Sequence, residues 1–339
     1  MARKTKLAMQ LRKRLRVVVL LFVVFASALA IGYIISAAPQ PPEVKIYPRI
    51  GHSPISIQQA TDFTPPNSSA GCACVVSGSG SSGDPYVIAG WDINASETNG
   101  ISVSSVDKYF IITQVRISGT QRDVGISFDQ IQNARISNST IIGTFVAISL
   151  FESNKVTIQD NVISQSEYGV SLEASDSNTV FRNGMNTIGQ VSVFVRGSDN
   201  LVEANTIDGS YGAINLDGTP RAAARNMIKN NTIRLPEAYG IGLWRASDNK
   251  IIANTIADGG GVGILLTASS SGNTIENNNV RRNTADGILI NKGSSSNLVQ
   301  KNIFMGNGDG GSTFDLHSEE SSNVWRDNTF ETRKPDTLG

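Results

Sequence analysis

The chain has 339 residues, 40% hydrophobic, 6% aromatic and 17% charged, which is too apolar for disorder and too poor in aromatics for an ordinary compact core. Two cysteines exclude a disulfide-built scaffold, and two histidines argue against a histidine-built metal site. The formal charge of zero is a composite: residues 1–16 carry seven basic side chains and no acidic one, leaving 22 basic against 29 acidic, and an acidic remainder without a basic stripe argues against nucleic acid as a partner.

The first elements read as an address. Arg3, Lys4, Lys6, Arg12, Lys13, Arg14 and Arg16 form a basic segment, 1–16, followed by an uncharged run at 17–38. That run is long enough to cross a bilayer core of about 30 Å as a single transmembrane helix. The basic cluster stays cytoplasmic by the positive-inside rule, so everything after residue 38 is expected outside, extracellular or periplasmic. Ser36-Ala37-Ala38 looks like a cleavage site, but Pro39 follows directly, which favours an uncleaved signal anchor with the membrane as partner. Residues 39–71 are expected to be an extended stalk, since seven of the eleven prolines fall between 39 and 66. Cys72 and Cys74 are two apart, a spacing that predicts a strained bond if they pair. Residues 72–98 are expected to cap the next element against edge pairing.

A repeat fills residues 99–330. A short alternating strand recurs as Ile101/Val103, Ile126/Phe128, Ile148/Leu150, Val170/Leu172, Val193/Val195, Ile214/Leu216, Ile241/Leu243, Ile264/Leu266, Ile288/Ile290 and Phe314/Leu316, at steps of 21 to 27 residues. Gly or Ala usually precedes it. Downstream comes Asn-x-apolar, at Asn161, Asn186, Asn205, Asn231, Asn254, Asn278, Asn302 and Asn328, and in the last six periods another Asn lies five residues earlier. Such asparagines suit left-handed bends between strands, and amides stacked at about 4.8 Å can hydrogen-bond from turn to turn. Leucines are too sparse for a leucine-rich repeat, and no amphipathic helix separates the strands. The fold class is therefore all-β, a parallel β-helix of about ten rungs, with crossover chirality favouring the right hand. Residues 331–339 are expected to be a frayed tail.

Asp84-Pro85-Tyr86-Val87-Ile88, Gly90-Trp91-Asp92-Ile93 and the repeated Gly-Ile-x-Leu and Asn-x-Ile units resemble the pectin-lyase-like right-handed β-helices, especially surface and periplasmic proteins with NosD-like repeats. The resemblance spans about 87 to 330 and implies the fold. It does not imply one activity, because the family includes lyases, hydrolases, epimerases, adhesins and surface proteins. The chain lacks the Asp-Asp and Gly-His-Gly of polygalacturonase-type hydrolases. Tyr211-Gly212 and Tyr239-Gly240 lack the Asp-Pro-His of alginate epimerases. For NosD the resemblance implies copper-site maturation, but no Met/His/Cys cluster supports that here. No cofactor or metal site is assigned. Calcium is the one ion left open, at Asp208-Gly209, Asp217-Gly218 and Asp258-Gly259, although lone Asp-Gly pairs are ordinarily turns.

Strand alternation turns the residue between each apolar pair outward, and the one after it. In the middle of the stack these two columns gather Phe151, Glu173, Phe194, Arg196, Asn215, Asp217 and Trp244. Glu173 and Asp217 lie two rungs apart, roughly 9–10 Å, with Arg196 between. Side chains could narrow that toward the roughly 6.5–9.5 Å of an inverting glycosidase pair. Three readings follow. In the first, the chain binds polysaccharide through Phe151, Phe194, Asn215 and Trp244. In the second, it is a polysaccharide hydrolase or lyase acting through Glu173 and Asp217, with Arg196 holding an anionic sugar. In the third, Glu173, Arg196 and Asp217 are a ladder of surface ion pairs on an inert structural protein.

Overall fold

The computed structural model describes residues 46–309 and 311–335. The basic segment 1–16, the anchor 17–38 and the last residues of the tail lie outside the described residues. Among those described, no helix is long and apolar enough to cross a membrane.

The chain coils into about ten turns of parallel strand. One complete turn runs through the strands Thr157–Gln159, Val162–Ser164 and Tyr168–Glu173. Its core is four aliphatic side chains, Ile158, Ile163, Val170 and Leu172, all fully buried. The turns on either side place like on like: Ile136, Ile158 and Val180 stack in one column, Ile141, Ile163 and Met185 in a second, and Ile148, Val170 and Val193 in a third. An interior only four side chains wide has little room for large rings, which explains the low aromatic content. β-Branched residues dominate it because they suit a pleated, packed surface. In the middle of the stack the second and third columns merge into the continuous strands Gly184–Arg196, Thr206–Asp217 and Thr232–Trp244.

The bends rest on asparagine ladders. In one, Asn161, Asn183, Asn205, Asn231, Asn254, Asn278, Asn302 and Asn328 each bond to the next. Asn205 is typical. Its backbone N–H and Nδ2 donate to Asn231 Oδ1 at 2.9 and 3.0 Å, and Nδ2 also donates to Val180 O at 2.9 Å. A second ladder runs through Asn178, Asn200, Asn226, Asn249, Asn273, Asn297 and Asn323. Two expectations need correction. The member above Asn161 is Asn183, and Asn186 is exposed. The left-handed residue is the one before the ladder asparagine at every step but Asn323, such as Arg182, Ala204, Asn230 and Ala253; it reverses the chain so that the asparagine side chain points inward. The small residue ahead of the third strand has a steric cause. A Cβ at Gly125 would lie 2.6 Å from Ala147 O and 2.7 Å from Ile141 Cγ2.

Both ends differ from expectation. Within the segment expected to be a stalk, Ile50–His52 pairs with Trp91–Ile93, and Ile55–Ile57 pairs with Ile101–Val103. Ile55 and Ile57 are buried, because the alternation Ile-x-Ile supplies the same inward pair as later turns. Within the expected cap 72–98, Tyr86–Ala89 and Trp91–Ala95 are already stacked in parallel on the next turn. The cover is Phe63, stacked on Tyr86 at 4.6 Å, together with Val75–Ser77, which pairs antiparallel with Tyr86–Ala89. Cys72 and Cys74 form a disulfide with Cα atoms 5.1 Å apart. The left-handed Ala73 between them brings them into the ordinary range.

At the other end the inward pair is Leu316/Ser318, not Phe314/Leu316, since Ile288 pairs with Leu316 and Leu289 with His317. Asp315 is buried. Its Oδ1 accepts from Asn307 N and Nδ2, and its Oδ2 accepts from the N–H groups of Glu331 and Thr332. Arg333–Lys334, placed in the expected tail, pairs with Leu316–His317.

Candidate functional site

Phe151, Glu173, Arg196, Asp217 and Trp244 close the third strand of five successive turns. Phe151 lies opposite Glu173, Glu173 opposite Arg196, and Asp217 opposite Trp244. Left-handed residues at Glu152, Ala174 and Arg245 end three of these strands directly afterwards, so the final side chain sits at a sharp edge. Two positions back, Ser171, Phe194, Asn215 and Gly242 form the companion column.

Arg196 is the centre of charge. Its Nη1 lies 3.4 Å from Glu173 Oε2 and its Nη2 3.0 Å from Asp217 Oδ2, while its guanidinium carbon stands 5.0 Å from the centre of the Phe194 ring. Asp217 Oδ1 accepts the Thr219 N–H at 3.0 Å, so both its oxygens are used. Glu173 engages only Oε2 among the described residues, and its side chain is 42% exposed against 21% for Asp217. Glu173 is therefore the more available carboxylate. Each terminal nitrogen of Arg196 already holds a carboxylate, so a sugar carboxylate would compete with Glu173 and Asp217 for it. The three charges sum to minus one.

The aromatic members split into two groups. Phe151 is exposed. Trp244 folds over Gly242, where a Cβ would come 2.0 Å from Trp244 Cζ3, and meets Tyr239 edge-on at 4.9 Å. Tyr239 in turn meets Tyr211 at 6.4 Å. Burial, with the neighbouring Tyr211 and Tyr168 adding to it, pushes the Tyr239 hydroxyl up to about 12, against a hydrogen bond from Asn215. Trp244 is thus embedded in an aromatic group rather than standing free. Asn215 Oδ1 and Arg196 Nε are buried without a hydrogen-bond partner.

A depression of about 430 Å³ opens beside the charges, lined by Phe145, Val146, Tyr168, Ser171, Glu173, Phe194 and Arg196. Of the sequence-predicted residues it gathers Glu173, Phe194 and Arg196; Phe151, Asn215, Asp217 and Trp244 lie outside its lining. Sequence reasoning missed Phe145 and Tyr168, which meet edge-on at 5.6 Å. The signal was there: Phe145, Tyr168, Tyr211 and Tyr239 each sit two or three residues ahead of the aligned strand. Among the described residues no three His, Cys, Asp or Glu side chains gather around a metal position. Of the Asp-Gly pairs considered for calcium, Asp217 and Asp258 give their carboxylates to Arg196 and Arg282.

Two family models match in succession, "Periplasmic copper-binding protein (NosD)" over residues 80–193 and "Right handed beta helix region" over residues 182–331. No curated protein matches the chain. Among solved structures, the A-module of the mannuronan C-5 epimerase AlgE6 of Azotobacter vinelandii superposes with a TM-score of 0.59 at 12% identity, covering 84% of this chain and 88% of that one. A hyperthermoactive exopolygalacturonase from Thermotoga maritima gives 0.51 at 12%, over 83% of this chain and 81% of its own. The Dettilon tailspike protein gives 0.51 at 15%, over 82% and 62%. At such identities the likeness concerns the fold alone. With the stacked register and the two family matches, it makes this chain a right-handed parallel β-helix.

Proposed function

We propose that the chain is an extracytoplasmic, membrane-tethered β-helix that binds polysaccharide along the face from Phe145 and Phe151 to Trp244. The observation that carries this reading is the depression walled by Phe145, Tyr168 and Phe194 beside a half-buried, register-stacked column of charged ends. Aromatic faces offer flat apolar area to a sugar ring, while Glu173 and Ser171 offer polar partners to its hydroxyls. The tether rests on the basic segment 1–16 and the apolar run 17–38. The outside location is supported by the same charge asymmetry and by the word periplasmic in the name of the matching NosD family. Copper handling is not carried over, since both cysteines are joined in a disulfide and no three His, Cys, Asp or Glu side chains gather among the described residues.

A glycan array probed with the chain from residue 46 tests this. Binding to at least one polysaccharide is expected, with Phe151→Ala and Tyr168→Ala each weakening it about fivefold or more. An array without a single bound glycan overturns the reading.

A polysaccharide-cleaving activity through Glu173 and Asp217 with Arg196 is the second reading. The names of the epimerase and the exopolygalacturonase favour it. Against it, a guanidinium bonded to both carboxylates fills the space where a scissile oxygen and a water belong. Release of reducing sugar or of an unsaturated product, abolished by Glu173→Gln, would establish it.

A further inference from the structure

We infer that the glycan held in this depression carries free amino groups, a hexosamine polymer rather than a uronate one. The inference rests on the glycan-binding reading above and names its substrate class.

Consider first what the depression repels. Its lining holds one acid and one base, Glu173 and Arg196, but the base is already shared with Asp217. A uronate entering here meets a guanidinium whose two terminal nitrogens are bonded, flanked by two carboxylates. The cations nearby do not reverse this balance. Arg221 reaches Ala174 O but is paired with Asp176 at 2.9 Å, and Arg245 hydrogen-bonds Thr219 and does not line the depression.

Consider next what it attracts. Glu173 keeps Oε1 without a partner among the described residues, on a side chain 42% exposed. Tyr168 lines the same space beside Phe194, whose ring already has the Arg196 guanidinium carbon 5.0 Å from its centre. A carboxylate oxygen beside aromatic faces is a setting for an ammonium group, which gains an ion pair and a cation–π contact together. A neutral acetamido sugar would fit the aromatic walls but leave the Glu173 oxygen without a cation.

The experiment uses the full chain in detergent micelles and titrates three hexasaccharides by calorimetry: glucosamine, N-acetylglucosamine and galacturonate, at a pH that keeps the amines protonated. The glucosamine hexamer is expected to bind about tenfold or more tightly than either of the others. Glu173→Gln is expected to weaken that hexamer about fivefold and the acetylated one by less than about twofold, since the amide still meets a hydroxyl but not an ammonium. Equal affinity for the acetylated hexamer, or preference for galacturonate, overturns the inference and leaves glycan binding standing. Glucosamine binding that ignores Glu173→Gln is general attraction to an acidic surface, and it also overturns the inference. If that variant does not fold, salt decides: raising it must weaken the glucosamine hexamer and spare the acetylated one, and equal loss counts against us. Silence of all three hexamers and of the glycan array removes both readings together.

Discussion

Asp286 shows how one side chain sets a pH response in this fold. Its Oδ1 accepts the Phe314 N–H at 2.7 Å and lies 3.2 Å from His317 Nδ1. Burial pushes its carboxyl above the usual range, and the Phe314 N–H and His317 only partly offset that. An acid raised on folding holds its proton in the folded chain after the unfolded chain has lost its own. Stability from this group is therefore fullest at low pH and falls as pH rises from about 4 through the folded value. Asp286→Asn keeps the acceptor for Phe314 and removes the ionisation. Thermal melts should show the variant more stable than the parent at neutral pH, with the gap closing as pH drops toward 4; a constant gap would contradict this. The candidate site was legible to a similar depth. Period and alternation sufficed to align Phe151, Glu173, Arg196, Asp217 and Trp244, because vertical neighbours follow from spacing alone. What spacing could not convey is side-chain direction. That Arg196 forks to both acids, and that Trp244 lies back over Gly242, depends on rotamers which the repeat does not encode.

The ladder asparagines act as elements rather than as single residues, because each serves the turn above and the turn below. Asn231 accepts two bonds from Asn205 and donates to Asn254 Oδ1 and Val202 O. Asn231→Ala strands the Asn205 donors and the Val202 carbonyl inside the stack, where each buried unpaired group costs about 1–3 kcal/mol. We expect a loss of about 3 kcal/mol or more by urea unfolding. Asn328 ends its ladder and is only half-buried, so Asn328→Ala should cost about 1 kcal/mol. Equal costs would mean the ladders do not bear on stability as linked units. The recurrence of paired asparagines made the ladders readable in advance, although Asn186 was taken for Asn183. Both precede an apolar residue closely, and only the backbone reversal at Arg182 distinguishes them. The last turn slipped by two residues for a related reason. Phe314-x-Leu316 alternates as well as Leu316-x-Ser318 does, and the sequence does not announce that Ser318 is buried while Asp315 closes a ladder.

For the whole molecule, a stack in which each turn pairs only with its neighbours has a stability that is roughly a sum of turn and interface contributions, so its ends decide its solution behaviour. The N-terminal end begins in residues whose prolines suggest a stalk. Ile50–His52 and Ile55–Ile57 cover the edges of Trp91–Ala95 and Ile101–Ser104, and Phe63 covers Tyr86 and Phe110. A chain started at residue 67, where the proline content alone would place the cut, loses all three. It would expose two parallel edges together with Ile101 and Val103, which are at most 1% accessible in the intact end. Open, flat, apolar strand edges pair with other chains. The chain from residue 46 should therefore run as a monodisperse species in size-exclusion chromatography with light scattering, whereas the chain from 67 should associate in a concentration-dependent way. Its far-ultraviolet circular dichroism should nonetheless stay β-rich, because the later turns do not depend on the first. A fragment from 67 that remained monodisperse, with the melting temperature of the longer one, would show that Ile50–Ile57 is not the first turn of the stack.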